Sequence, residues 1–429
     1  MKHLADTEQI LSQPSTSDMK KWRLLTIDEC CEILDSKRIP INSEEREQRK
    51  GDIPYYGANG LQGYIDGYIF DEPLILIAED GGYFNEFATR PIAYKIQGKS
   101  WVNNHAHVLK AKRGYCQDAI FYALEHKDIQ HFIVGGTRAK LNQTALRSIA
   151  LQLPEDEEEQ VRIVTILSTL DQAIEQTEAI IAKQQRIKTG LMQDLLTKGI
   201  DENGNIRSEA THEFKDSLLG RIPVEWDVAQ LHEFAAAIDP QPDHRTPPQI
   251  DNGVPYIGIS DFNEDEAIDF AGARKISFTA YRKQRKAFIV ELGDFIFGKI
   301  GTIGTPKRLP TDFDYALSAN VILLKPKDKS TFVFWWMVST IVENLVAQEI
   351  HSTSQPAFGI QKMRSLSIPR LTNIEQHQIG KVFDKLAETM SAESTRLVKL
   401  RKLKAGLMHD LLTGKVRVPH TQNYEVLEA

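Results

Sequence analysis

Apolar residues recur at steps of three, four and occasionally seven along two stretches of the chain, about 155–198 and 372–414. In the first they include Ile163, Leu167, Leu170, Ile174, Ile181 and Ile187. In the second they include Ile379, Phe383, Leu386, Met390, Leu397 and Leu403. Such spacing returns side chains to one face of an α-helix. Neither stretch contains proline. The pattern predicts two helices of about 40 residues, each roughly 60 Å long at 1.5 Å per residue.

The two stretches are copies of one another. Glu159-Gln160 recurs as Glu375-Gln376, and the block Gly-Leu-Met-x-Asp-Leu-Leu-Thr starts at Gly190 and again at Gly406, both at an offset of 216. Leu191 and Leu407 are equivalent within that block. A long helix with a single apolar seam needs a partner. The seam therefore predicts that Leu167, Leu170, Ile174, Ile181 and Leu191 meet Phe383, Leu386, Met390, Leu397 and Leu407 in an antiparallel coiled coil. Packing inside a larger bundle is the alternative. Thr177, Gln184 and Glu393 are polar seam positions, expected to weaken the pairing locally or to fix its register.

Between the helices the pattern changes to short apolar runs broken by Gly, Asn and Asp. Leu74 to Ala78 and Phe295 to Gly298 have strand length, and 330–350 reads as one strong helix. These parts also echo each other. Trp22 and Ile27 match Trp226 and Leu231, Pro54-Tyr55-Tyr56-Gly57 resembles Pro255-Tyr256-Ile257-Gly258, and Arg147-Ser148 matches Arg364-Ser365. The offset grows from 204 to 216, so the length difference lies in the globular parts. The predicted fold is mixed α/β, with two globular domains separated by two long antiparallel helices in a pseudo-twofold internal repeat. Its parts are a tail (1–19), a domain (20–154), a helix and linker (155–205), a second domain (206–371), a second helix (372–414) and a tail (415–429).

Composition narrows the class. The chain has 429 residues and a formal net charge of −7, which excludes a protein that coats nucleic acid through bulk positive charge. Much of the acidity lies in 155–205, with 11 acidic against 5 basic residues. Both globular parts are close to neutral. The three cysteines, Cys30, Cys31 and Cys116, form no disulfide framework and suit a reducing compartment such as the cytoplasm. No apolar run reaches transmembrane length, and the first residues lack a signal-peptide pattern.

Catalytic signatures are missing. Gly298-Lys299-Ile300-Gly301-Thr302 lacks phosphate-loop spacing and reads as a turn after a strand. His105 and His107 stand two apart without a partner set of metal-ligand spacing, so no metal is expected. Asp35-Ser36-Lys37 is too short to specify a nuclease. Trp335 and Trp336 read as core. What remains are polar and aromatic loops: Tyr55, Tyr56, Asn59 and Gln62, then Arg138, Lys140, Asn142 and Gln143 in the first domain. The second has Arg282, Lys283, Arg285 and Lys286, then Lys299, Ser354, Gln355 and Gln361. Such side chains can hold phosphates or read base edges. Two unlike readers joined by rigid helices suit a ruler for a two-part site.

At this point the sequence resembles the specificity subunit of type I restriction–modification enzymes. Besides the order of parts, the resemblance rests on Tyr55-Tyr56-Gly57-Ala58-Asn59-Gly60, Ile77-Ala78-Glu79-Asp80-Gly81 and Asn103-Asn104-His105-Ala106-His107-Val108. Leu219 to Trp226 and both Gly-Leu-Met-x-Asp-Leu-Leu-Thr blocks add to it. It implies a non-catalytic DNA-recognition chain whose target-recognition domains each read one half of an asymmetric bipartite site in double-stranded DNA. It further implies helices that set the spacer and dock two methyltransferase subunits, which bind S-adenosylmethionine and flip out the target adenine. Restriction subunits using ATP and Mg would complete the complex, and this chain itself would bind no cofactor. A protein-binding coiled-coil scaffold, an orphan specificity chain of a related defence system and a free-standing enzyme are the competing readings. The second domain has Lys299-Ile300-Gly301 where the first has Glu79-Asp80-Gly81, so contacts do not transfer between the domains.

Overall fold

The computed structural model describes residues 22–135, 139–241, 245–263, 266–350 and 357–418. The chain packs as two compact units. One takes the chain up to Gln176 and again from Leu397 onward, and the other runs from Thr177 to Arg396. Both divisions fall inside a long helix. The first helix is Glu157–Thr197, with 41 residues, and the second is Asn373–Leu412, with 40. The apolar period thus finds both helices, and each unit contains part of each helix.

In the first unit a four-stranded antiparallel sheet has the order Cys31–Ile33, Ala106–Ala111, Leu74–Ala78, Ala93–Ile96. Every residue of Leu74–Ala78 is buried, as expected of a central strand covered on both faces. A second sheet orders Gly60–Ile65, Ile53–Gly57, Lys99–Val102 and Phe70–Asp71, its middle pair parallel. Trp22–Thr26 pairs antiparallel with Ala150–Pro154, bringing the ends of the domain together. Ile163 and Leu167 of the first long helix join this core with Met408 and Leu411 of the second. The helix halves run antiparallel here. Asp171 pairs with Lys404 at 2.7 Å, whereas the earlier Glu159 meets Arg417, beyond the second helix.

The second unit repeats the plan. Ala235–Ile238, Val321–Pro326, Phe295–Gly298 and Gly304–Arg308 form the antiparallel sheet. Lys275–Ile276, Val254–Ile257 and Ala316–Leu317 form the smaller one, again with a parallel pair. Asp227–Gln230 and Ser367–Arg370 close the domain as Trp22–Thr26 and Ala150–Pro154 do in the first. The matches read from sequence therefore fall on equivalent elements. Tyr55 and Tyr256 both lie on the strand that makes the parallel pair.

The two long helices fit coiled-coil linkers, as expected, and toward the domains the seam residues Leu167 and Phe383, 0% and 1% exposed, also enter the cores of the globular parts. Leu191 packs against the second core and Leu407 against the first, while Leu170, Ile174, Ile181, Leu386, Met390 and Leu397 are half-buried. Ile187 and Leu403, equivalent in the repeat, are 44% and 51% exposed. One expectation changes. The segment read as one helix over 330–350 is two, Phe332–Met337 and Thr340–Ile350. Ser339 sits at the break, where its hydroxyl accepts the N–H of Val342 and begins the second helix. Trp335 and Trp336 are core residues, as expected.

Candidate nucleic-acid interface

In both domains the central strand of the four-stranded sheet ends in a loop beside the start of its neighbour. The backbone holds this corner identically twice. Glu79 N donates to His105 O at 2.8 Å, and Lys299 N donates to Asn320 O at 2.8 Å. One step away, His105 N donates to Asn103 Oδ1 at 2.8 Å, and Asn320 N to Ser318 Oγ at 3.2 Å. His105 and Asn320 thus occupy one position in two copies of the same scaffold.

Beneath the corner lies an ion-pair network. Asp35 follows the Cys31–Ile33 strand, and its carboxylate meets His107 Nδ1 at 2.6 Å, Val108 N at 2.9 Å and Gln143 Nε2 at 3.1 Å. Burial pushes this carboxyl up, but the hydrogen bond and charge of His107, with Val108 N–H and Arg38, outweigh it and hold it below the usual range. His107 Nε2 faces the carbonyl of Leu141 at 2.7 Å, so that nitrogen carries a proton. Arg38 binds Glu79 at 2.9 Å, and Lys140 lies 3.4 Å from the same carboxylate. Asp35, Glu79 and His107 are close enough to suggest a metal site. Asp35 is engaged by His107, Val108 N and Gln143, and Glu79 by Arg38 and Lys140, so cationic side chains already balance these carboxylates.

The second domain has Asp239 where the first has Asp35, and its carboxylate pairs with Lys299 at 2.7 Å. The departure at 79 and 299 therefore has a physical reason. When the strand-end residue changes sign, its partner changes from Arg38 to Asp239. Lys299 is 5% exposed and spent on this pair, which corrects its reading as a base or phosphate contact.

Around the first corner the structure gathers several candidates. The Ile53–Gly57 and Gly60–Ile65 hairpin brings its tip over the loop, where Asn59 Nδ2 donates to Gly81 O at 3.0 Å. Gln62 is exposed, and its Oε1 accepts from Asn103 at 3.2 Å. Lys140 and Gln143 are exposed beside it. Tyr56 is half-buried next to Tyr94. Tyr55, 2% exposed, packs with Ile65 and Trp101, and burial pushes its phenol up; it is a core residue, which corrects its reading as a candidate DNA contact. Asn142 is an N-cap, accepting the N–H of Ala145, so its side chain is spent on the Gln143–Ser148 helix.

In the second domain the corner opens into a cleft of about 400 Å³ that includes Arg274, Ile300, Ser318 and Asn320. Arg282, Lys283, Arg285 and Lys286 are exposed on the Phe278–Ala287 helix, where Arg285 meets Asp314 and Tyr281. Gln361 is exposed on the Ile360–Arg364 helix. Arg138, Ser354 and Gln355 lie outside the described residues. Sequence reasoning missed Arg38, Asp80, His105, Asp239 and Asn320 as members of the corner. The steady offset of 204 between Asp35 and Asp239 was the available signal.

The type I restriction modification DNA specificity domain matches residues 19–184 and again 223–402, most of the chain. The chain belongs to that family. It is 24% identical over 436 residues to the MjaVIII specificity subunit of Methanocaldococcus jannaschii, covering 92% of this chain and 93% of that one. It is 37% identical over 153 residues to S.HindORF215P of Haemophilus influenzae, which carries the name of a type I restriction enzyme specificity subunit. That alignment spans 35% of this chain and 37% of the relative. The fold is that of the type I restriction–modification S subunit from M. genitalium, with a TM-score of 0.64 at 14% identity over 94% of this chain and 97% of that one. Among the described residues no helix is long and apolar enough to cross a membrane.

Proposed function

We propose that this specificity-family chain is the DNA-reading subunit of a type I restriction–modification complex in the cytoplasm. Each globular domain reads one half of an asymmetric bipartite site through the corner described above. The observation that carries this reading is the duplicated corner, in which one backbone scaffold presents different side chains. Shared geometry suits a shared duplex, and different side chains suit different half-sites.

The chain supplies recognition, and its partners supply chemistry. Two methyltransferase subunits holding S-adenosylmethionine methylate an adenine in each half-site, and restriction subunits use ATP and Mg. The helices set the unread spacer and dock the methyltransferases. The exposed, repeat-equivalent Ile187 and Leu403 support two like docking surfaces for two copies of one partner. The test is methylome sequencing of a host that expresses this chain with its methyltransferase subunits. A single bipartite motif, methylated on one adenine per half, is expected. Unmethylated DNA, or methylation by the purified chain alone, would overturn the reading.

A further inference from the structure

His105 and Asn320 are an aligned pair at the corner whose backbone is held twice over, His105 half-buried and Asn320 exposed. His105 is also aimed. Its Nδ1 lies 3.0 and 3.1 Å from the two carboxylate oxygens of Asp80, whose side chain is 17% exposed against 41% for the histidine. A carboxylate accepts, so Nδ1 carries a proton, and Nε2, turned away from Asp80, is an acceptor whenever the ring is neutral. An acceptor on a rigid strand end suits an exocyclic amine at a base edge, the N6 of adenine or N4 of cytosine.

At Asn320 the residue aligned with Asp80 is Ile300, 46% exposed. The Asn320 amide offers a donor and an acceptor side by side, the pair that matches the N6 and N7 of adenine. It lies in the 400 Å³ cleft with Arg274, whereas the buried ion pairs below both corners only support the scaffold.

We infer that His105, oriented by Asp80, and Asn320 are specificity-determining residues that each read one base pair, in the first and the second half-site respectively. This rests on the proposed DNA-reading function and names the residues that carry it. It also explains why Asp80 and Ile300 differ. A histidine with a bare acceptor needs its other nitrogen fixed, and an asparagine does not.

The test uses full-length chains carrying His105→Ala, Asp80→Asn or Asn320→Ala, each assembled with the methyltransferase subunits. Motifs are read by methylome sequencing, and binding is measured on duplexes changed one base pair at a time. His105→Ala is expected to lower discrimination about tenfold at a single position of one half-site, leaving the other half intact. Asp80→Asn is expected to relax the same position, and Asn320→Ala a position in the opposite half. A wild-type complex without a bipartite motif overturns the proposed function and this inference with it. An intact wild-type motif, with variants that keep every preference or weaken binding evenly on all sequences, overturns the inference alone.

Discussion

Glu159 and Glu375 are the same residue in two copies, and each is buried while gripping a chain segment beside a helix end. Glu375 accepts from Arg207, from Ile200 N at 2.9 Å and from Trp226 Nε1 at 3.2 Å. Glu159 accepts from Arg417 Nε at 2.7 Å and from Val418 N. A left-handed glycine turns the chain at each clasp, Gly199 with φ +63 and Gly414 with φ +70. The surroundings differ. A Cβ at Gly199 would lie 2.2 Å from Glu375 and 2.3 Å from Trp226, whereas one at Gly414 would come no closer than 3.1 Å to Trp22. Gly199→Ala should therefore cost more than about 2 kcal/mol and Gly414→Ala about 1 kcal/mol, checked by urea denaturation. The reverse order would refute the packing argument. The repeat of Glu-Gln was visible in the sequence. Its cationic partners were not, because the turn bridged by Ile200 and Ile206 lengthens one linker and takes Arg207 and Arg417 out of register.

At the scale of elements, helix length and the partnership of the two helices were legible, and what else each apolar face packs against was not. The 3.6-residue period finds helices of 41 and 40 residues, since periodicity is a local property of the backbone. It marks an apolar face without naming what that face meets. Ile163 and Leu167 go into a globular core, and Ile187 and Leu403 face outward. The constant offset of 216 does fix the helices as equals in length between their landmarks. Deleting seven residues after 176 and the equivalent seven after 392 keeps each apolar face in phase and shortens each helix by about 10 Å. The methylated motif should then lose about three base pairs of spacer, at 3.4 Å per pair, with both half-sites unchanged. An unaltered spacer would show that the helices do not set it.

At the scale of the whole molecule, the first domain is completed from the far end of the chain. Met408, Leu411 and Val418 sit in its core, Lys404 pairs with Glu125 and Asp171, and Arg417 answers Glu159. Burial disfavours the Lys404 ammonium, but Asp171 and Glu125 outweigh it and raise this lysine above its usual range. Ending the chain at Arg396 removes these groups together and leaves the buried carboxylate of Glu159 without its arginine, a loss of several kcal/mol. Limited proteolysis with mass spectrometry should show new cleavage within 22–176 and continued protection of 245–350. Equal protection of both would contradict the division of the core.

The duplicated order of parts, the two long helices and the strands at 74–78 and 295–298 are legible along the chain, because each is written in local periodicity or in a constant offset. The family is legible through the motifs that resemble it. Which side chains are core, which are caps and which face outward follows from the folded packing. Asp35 and His107 are 72 residues apart, and Glu159 and Arg417 are 258 apart. Nothing local in the chain announces such meetings. Folding brings Tyr55 inside, pairs Lys299 with Asp239 and sets a half-buried His105 and an exposed Asn320 on one shared scaffold, because burial and charge pairing depend on what lies opposite in space.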